Sequence, residues 1–360
     1  MNKTSWIIIV SVLIALGATF FLFNKFFLIN GWKVVSRVSY ESAILRYELS
    51  ESARAGDVDK EIQIAEELLL IKKDNQAKIN LANAYLEKAS FDFKEEEYGN
   101  KAIVIARELL ATSLEKDQEF EVYLVLGYSY EVLQDYPKSL ENYNKAIEIN
   151  GNSDIAYVKR GHAYDLSGDL EKAEADYVKA YQINVQSDIA LYNLARVAQR
   201  KDNFEATKNY AEKALEVSKI AFVRSRLYEL MGLVEINAGN YQAAIDYFSK
   251  SIEVYEKAKN SYANRAYAQI ILADFSVKTE ELKNKIQSDI SKSLDIYEYN
   301  SFANVIEGIL MQASGDNQRA LESYKKALSV IDKDISLGVS EKIEMKVRVD
   351  KYVSDLEINK

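Results

Sequence analysis

The fold of this chain is decided by residues 120–187. Residues 120–153 have the sequence FEVYLVLGYSYEVLQDYPKSLENYNKAIEINGNS, and residues 154–187 have the sequence DIAYVKRGHAYDLSGDLEKAEADYVKAYQINVQS. The second segment repeats the pattern of the first, with Gly161 standing 34 positions after Gly127. A fixed period of this length predicts a protein built from stacked helical repeats.

Each copy contains two segments with helical spacing. In both segments the apolar and small residues fall at intervals of three and four, which places them on one face of a helix. In the first copy they are Tyr123, Leu126, Gly127 and Tyr130, followed by Leu140, Tyr143, Ala146 and Ile147. Short polar joints such as Gly168-Asp169 suit a left-handed helix end followed by a new N-cap. The pattern therefore predicts helix-turn-helix units.

This pattern resembles the tetratricopeptide repeat family. The signature positions of the family are filled in the clearest copy by Tyr157, Gly161, Tyr164, Ala173, Tyr177 and Ala180. The proline that usually closes each repeat is absent, and the single proline, Pro137, falls in the first turn of a helix, where its missing N–H is harmless. The resemblance implies an all-α fold, a right-handed superhelical solenoid of helix-turn-helix repeats, preceded here by one N-terminal transmembrane helix.

The repeats divide the chain after its N-terminal segment into three parts. Residues 120–334 are expected to hold about six tetratricopeptide repeats, and residues 335–360 a C-terminal capping helix. Residues 34–119 are expected to hold degenerate repeats with an insertion near 91–100, either a surface loop or a lengthened helix pair.

Two finer expectations concern the C-terminal half. In the fifth repeat the polar stretch 279–284 is expected to delay the second helix to Ile286. In the capping helix, Ile343, Val347 and Leu356 are expected to form the packed side, because they share one helix face.

Residues 1–33 are predicted to be a membrane anchor, with a transmembrane helix over about 6–29. No charged residue occurs between Ile7 and Phe23, and apolar residues resume shortly after. At 1.5 Å per residue, such a segment is long enough to cross a hydrocarbon core of about 30 Å. Trp6 and Trp32, the two tryptophans of the chain, flank it, as suits a side chain that prefers the membrane interface.

Alternatives remain for this segment. A cleaved signal peptide, with Ala15-Leu16-Gly17 as the cleavage site, is less favoured because cleavage would leave another apolar stretch. Lys25, Lys33 and Arg37 follow the span and favour cytoplasmic repeats, but long domains translocate largely regardless of charge. The chain has no cysteine and its composition suggests a bacterial source. We therefore favour a single-pass membrane protein with an extracytoplasmic repeat domain.

Composition argues against several functions. The net charge of −9 makes nucleic acid a poor partner. The chain has one histidine, His162, and no phosphate-binding loop or nucleophile elbow, so we predict no catalytic residue, metal site or cofactor. The alternative from a different class is an enzyme or enzyme accessory in the envelope that uses the solenoid as a substrate-binding arm.

The family resemblance implies a peptide-binding groove lined by the first helix of each repeat. The residues at groove positions are Tyr128, Glu131, His162, Asp165, Tyr192, Arg196, Gln199, Arg200, Glu229, Leu233 and Tyr267. The Lys and Asn clamp by which some members hold a C-terminal carboxylate is missing. Arg196 and Arg200, one turn apart, are placed either to hold a carboxylate or to pair with nearby acids.

Together these features predict a membrane-anchored scaffold. It would contact the lipid bilayer through its N-terminal helix, bind a protein or peptide partner in the groove, and help to assemble or recruit a membrane-associated complex. The alternative within the same class is a structural subunit that self-associates or stacks with neighbours in an envelope or cell-surface assembly.

Overall fold

The structure is a computed structural model that describes residues 42–46, 48–49, 57–71, 74–92, 94–277, 279–334 and 339–358. The anchor predicted over residues 1–33, including Trp6 and Trp32, lies outside these ranges. Among the helices that the structure does describe, none combines the length and the apolar composition needed to span a bilayer.

The regular structure in the described residues is helical throughout. The helices are α1 (Val58–Ile71), α2 (Asn75–Asp92), α3 (Glu95–Leu110), α4 (Lys116–Val132), α5 (Tyr136–Ile149), α6 (Asp154–Leu166), α7 (Leu170–Ile183), α8 (Asp188–Arg200), α9 (Phe204–Val217), α10 (Ala221–Asn237), α11 (Tyr241–Val254), α12 (Lys259–Leu272), α13 (Glu280–Ile296), α14 (Ser301–Ala313), α15 (Asn317–Val330) and α16 (Val339–Ile358), with a 3₁₀ turn at Ile331–Lys333. The chain forms two compact units, Met1–Gly151 and Asn152–Lys360, here called unit 1 and unit 2. Within each unit every one of these helices packs against the next in order, as expected for stacked repeats.

In unit 1 the predicted insertion near 91–100 forms a lengthened helix pair, so the alternative prediction of a surface loop is wrong. Helix α2 runs to Asp92 and α3 begins at Glu95, so only two residues separate them. Three glutamates, Glu95 to Glu97, fill the first turn of α3, where their negative charge interacts favourably with the positive end of the helix dipole. The acidic run is therefore suited to a helix start.

A close contact inside the helix pair α4 and α5 explains the glycine of the repeat. Tyr143 is fully buried, and its ring lies against Gly127. A Cβ atom at Gly127 would come within 2.5 Å of Tyr143 Cδ1, which is far closer than van der Waals contact allows. Gly308 and Tyr324 make the same contact in unit 2. The glycine is thus required by the ring of the second helix.

The joints between paired helices have the predicted chemistry. Gly168 has a φ of +90° and ends α6 in the left-handed region that glycine tolerates. The next residue, Asp169, caps α7 by accepting a hydrogen bond from the backbone N–H of Lys172. Asn203 and Asp316 cap α9 and α15 in the same way.

The fifth repeat differs from its prediction. Helix α13 begins at Glu280, and Thr279 caps it by accepting from the backbone N–H of Leu282 at 3.3 Å. The expected delay to Ile286 is therefore wrong, and the polar stretch is an added helical turn. Its physical reason is that Glu and Lys are good helix formers and acidic residues suit the first turn.

The packed face of α16 is also different from the predicted one. Leu356 is buried as expected, but Ile343 and Val347 are exposed. The buried face instead follows Val349, which is fully buried, and Tyr352, whose ring stacks on Tyr324 at 5.1 Å between centroids. These residues share a second stripe with Val353 and Leu356, at spacings of three and four, and this stripe packs into the core of unit 2.

Candidate functional site

The predicted groove residues are distributed over both units, and each set is described in its own unit. Those of unit 1 lie on α4 and those of unit 2 lie on α6, α8, α10 and α12, the first helices of their repeats. In order they are Tyr128 and Glu131, then His162 and Asp165, then Tyr192, Arg196, Gln199 and Arg200, then Glu229 and Leu233, then Tyr267.

In unit 1 the two predicted groove residues expose little surface to solvent. Glu131 is buried, and the hydroxyl of Tyr143 donates a hydrogen bond to its Oε2 at 3.3 Å. Burial, reinforced by the Glu131 charge, raises the pKa of Tyr143 well above its usual value, so this hydroxyl stays a donor. Tyr128 is half-buried against the core of the same unit. Glu131 therefore serves as a buried hydrogen-bond acceptor that stabilises the fold.

In unit 2, Asp165 is bound by two arginines of the next repeat. Arg196 donates through Nη2 to Asp165 Oδ2 at 3.0 Å, and Arg200 donates through Nη1 to Oδ1. The aspartate side chain is only 2% exposed, whereas the arginine side chains are 27% and 42% exposed. We call Asp165, Arg196 and Arg200 the arginine cluster. One carboxylate and two guanidinium groups leave it with a net charge of +1.

Two further side chains of α8 also contact the guanidinium group of Arg196. Its Nη1 donates to Asn193 Oδ1 at 3.1 Å, and its guanidinium carbon lies 5.8 Å from the centroid of the Tyr192 ring. Such a distance is within the range of a cation–π interaction. Arg200 donates to Asp165 and is the most exposed member of the cluster. The cluster is therefore held in place and partly open to solvent.

A second ion pair lies within α10, and its arginine also forms a hydrogen bond to α8. Arg226 donates through Nε to the Tyr192 hydroxyl at 3.3 Å and through Nη1 to both carboxylate oxygens of Glu229, at 2.9 and 2.7 Å. The Glu229 charge raises the pKa of Arg226 above its usual value. Glu229 is buried and neutralised by this pair. Sequence analysis did not single out Arg226, although its position one turn before Glu229 is a signal for such a pair.

The remaining predicted residues contribute mainly to packing. Leu233 packs against the cluster around Phe248, and Tyr267 meets Phe302 edge to face at 6.1 Å. His162 and Gln199 are half-buried on the same faces as Asp165 and Arg196. Among the predicted groove residues of unit 2, the polar side chains that stay partly accessible thus lie on α6 and α8. Nowhere in the described ranges do three or more metal-ligating side chains converge.

Comparison with known proteins agrees with this architecture. The family model described as tetratricopeptide repeat matches residues 120–153, 155–184, 189–220 and 225–258. A curated relative, tetratricopeptide repeat protein 36 of Danio rerio, is 26% identical over 102 residues, which are 28% of this chain and 52% of the relative. The chain thus spans about half the length of that relative.

Several solved structures share the fold. The Cut9–Hcn1 hetero-tetramer of the APC/C has a TM-score of 0.58 at 14% identity, covering 89% of this chain and 57% of the other. A tetratricopeptide repeat protein of Parabacteroides merdae has a TM-score of 0.54 at 19% identity, covering 77% and 99%. PilF of Pseudomonas aeruginosa has a TM-score of 0.51 at 17% identity, covering 65% and 99%. The four matched segments identify tetratricopeptide repeats within residues 120–258, and the fold shared with these structures is all-α.

Proposed function

We propose that this protein is a scaffold that binds a protein or peptide partner on the first-helix surface of unit 2, formed by α6, α8 and α10. The observation that carries the proposal is the arginine cluster. Asp165 is buried beneath Arg196 and Arg200, so the two guanidinium groups are fixed in position while Arg200 remains substantially exposed. A donor group that is already ordered loses less conformational entropy when it binds a partner.

The chemistry of the surface fits peptide recognition better than catalysis. Its ionisable side chains are engaged in structural pairs, as Glu229 is with Arg226, and guanidinium groups offer hydrogen bonds without a reactive centre. Tetratricopeptide repeats commonly serve as non-enzymatic scaffolds, and helical or extended peptides bind such strips through pockets and polar anchors.

The proposal includes membrane anchoring through residues 6–29. Its support is the uncharged stretch from Ile7 to Phe23 and the tryptophans, Trp6 and Trp32, on either side of the apolar segment. In this arrangement the repeats would recruit their partner to a membrane-associated complex, with the repeat domain outside the cytoplasm. Protease digestion tests the arrangement. Cleavage of the repeats in cells with a permeabilised outer envelope and an intact inner membrane is the expected result, and protection until that membrane is broken would place the repeats inside.

The binding surface is tested with a partner identified by crosslinking and then purified. Arg200→Ala is the informative variant, because Arg196 still pairs with the buried Asp165 and the fold is kept. We expect the affinity for the partner to fall at least fivefold. Arg319→Ala removes an arginine that is 72% exposed on α15 and serves as the matched control. Equal affinities for the wild type and both variants would contradict the proposed surface.

Self-association is the competing outcome. If light scattering shows an oligomer of the full chain that persists in the Arg200→Ala variant while no partner binds, the structural-subunit alternative is favoured. Thermal unfolding of each variant accompanies both measurements, so that a folding defect is not mistaken for a binding defect.

A further inference from the structure

Exposed apolar side chains lie at the starts of three consecutive first helices in unit 2. Ile155 on α6, Ile189 on α8 and Phe222 on α10 are 56%, 48% and 53% exposed. Val185 and Ile220, in the loops that precede α8 and α10, are exposed as well. We call these five residues the apolar row. Contiguous exposed apolar side chains of this kind mark interaction surfaces more often than scattered ones do.

Hydrogen bonds between repeats bring the members of the row together. Asn184 donates through Nδ2 to Asp154 Oδ2 at 2.8 Å, and Ser218 donates through Oγ to Asp188 Oδ2 at 2.6 Å. Ile155 and Ile189 follow these two aspartates directly in sequence. Val185 follows Asn184, so it lies beside the start of α6, and Ile220 stands two residues after Ser218, close to the start of α8. The row therefore continues from one repeat to the next.

Phe222 is held in place without being covered. Helix α10 has 17 residues, whereas α6 and α8 have 13 each, and its additional N-terminal turn carries Phe222. The ring packs edge to face against Tyr255 with 5.7 Å between centroids, yet half of its surface stays in solvent. A rigid, exposed aromatic ring is a favourable anchor for a partner because little rotamer freedom is lost on binding.

One member of the apolar row, Ile189, and the two arginines of the arginine cluster lie on the same face of α8. Ile189, Tyr192, Arg196 and Arg200 are separated by three, four and four residues, so they follow one another along that face. The face is apolar at its N-terminal end and cationic at its C-terminal end. With a rise of 1.5 Å per residue, the two ends are about 16 Å apart.

From this arrangement we infer that the partner segment carries apolar side chains at one end and an Asp or Glu carboxylate at the other. The carboxylate meets Arg200 and Arg196, and the apolar side chains cover Ile155, Ile189 and Phe222. The inference deepens the proposed function and rests on it. Charge complementarity supports it, since the cluster has a net positive charge within a chain of net charge −9.

The required spacing is itself a prediction about the partner. A segment that follows the face of α8 as a helix would separate its apolar and acidic residues by about 11 positions. An extended segment would separate them by about 5 positions, because a strand rises about 3.3 Å per residue. In both forms a basic residue opposite Arg200 would be repelled.

A peptide selection tests this chemistry directly. The full chain, purified in detergent, is used to select from a random library of 16-residue peptides, and recovered peptides are titrated against wild type and variants. The expected peptides carry Asp or Glu together with large apolar residues. Their affinity falls at least tenfold with Arg200→Glu and at least threefold with Ile189→Ser. Matched controls are Arg319→Glu and Ile343→Ser, which change exposed residues on α15 and α16 and leave affinity unchanged.

Each outcome has a distinct meaning. Acidic, apolar peptides that lose affinity with both α8 variants support the inference. Peptides without carboxylates whose binding depends on Tyr192 would overturn it and leave the groove proposal standing. Peptides whose affinity responds to Arg200→Glu but not to Ile189→Ser would remove the apolar row from the site. Failure to recover any peptide sensitive to α8 variants would contradict both the inference and the proposed function.

Discussion

Arg200 donates a hydrogen bond to Asp165 from the following repeat, 35 residues further along the chain. The contact joins a nearly fully buried carboxylate to a guanidinium group that is 42% exposed. It therefore couples the interface between two repeats to the surface on which a partner is proposed to bind. A change at Asp165 should alter both the stability of unit 2 and the placement of its most accessible cation.

Asp165→Asn should destabilise the protein by about 2 kcal/mol, because two charge-assisted hydrogen bonds are weakened and a neutral amide replaces the charge between two arginines. Urea unfolding at pH 7 measures the change. Asp169→Asn, at an exposed N-cap where asparagine is equally effective, is the control and should be close to neutral. A loss below about 0.5 kcal/mol for Asp165→Asn would show that the cluster is solvated rather than structural.

Gly127→Ala should destabilise the protein although alanine has the higher helix propensity. The added Cβ would lie within 2.5 Å of Tyr143 Cδ1, and displacement of a fully buried ring costs more than the propensity gain of about 1 kcal/mol. Differential scanning calorimetry should show a lower Tm. Gly151→Ala, whose Cβ would meet only the carbonyl oxygen of Ile147 at 3.5 Å, provides the comparison within unit 1. Equal Tm values for the two variants would contradict the packing described.

Gln269→Met should stabilise the protein by about 1 kcal/mol. Gln269 is buried on α12, and neither its Oε1 nor its Nε2 has a hydrogen-bond partner. Methionine keeps the length of the side chain and removes an amide that loses its contacts with water on folding. Gln318→Met, at an exposed position of α15, should leave Tm unchanged. A fall in Tm for Gln269→Met would indicate that the amide is satisfied by bound water.

The Lys208–Glu235 pair should make part of the stability depend on pH. Lys208 donates a hydrogen bond to Glu235 at 2.6 Å and thereby lowers the pKa of Glu235 below the usual value of 4.5. A hydrogen bond from Asn240 lowers this pKa further. A carboxylate with a lowered folded pKa stabilises the native state above the unfolded pKa, and this contribution is lost as pH falls through the folded pKa. Glu235→Gln should therefore destabilise by about 1 kcal/mol at pH 7 and by less near pH 3. Urea unfolding of both proteins at the two pH values provides the test, and a difference that persists at low pH would assign the effect to packing.

The repeat period was predictable because the same types of residue pack at the same positions of each repeat. Gly127 and Tyr143 illustrate this, since the spacing alone placed both on facing helices and the structure joins them. The joint at Gly168 was predictable for a similar reason, because few residues tolerate its positive φ. These features are determined by local chemistry that recurs along the chain.

Other features could not be predicted because the local sequence is compatible with two structures. Glu95 to Glu97 and the stretch 279–284 suit both solvated loops and helix starts, and packing of the adjoining helices selects the helix. In α16 two apolar stripes compete, and the one containing Val349 wins because it covers Tyr324. The pairing of Asp165 with arginines 31 and 35 residues away depends on side-chain rotamers, which no periodicity specifies.

The contact between a glycine and an aromatic ring also bears on how such a chain can change in evolution. Gly127 with Tyr143, and Gly308 with Tyr324, each lie within a single repeat and 16 residues apart. Duplication or deletion of a whole repeat moves the glycine and its ring together, so every copy keeps its own interior. Insertion of one residue between them would turn the ring away from its gap by about 100° of helix rotation. The number of repeats can therefore vary during evolution, whereas the spacing between the glycine and its ring cannot.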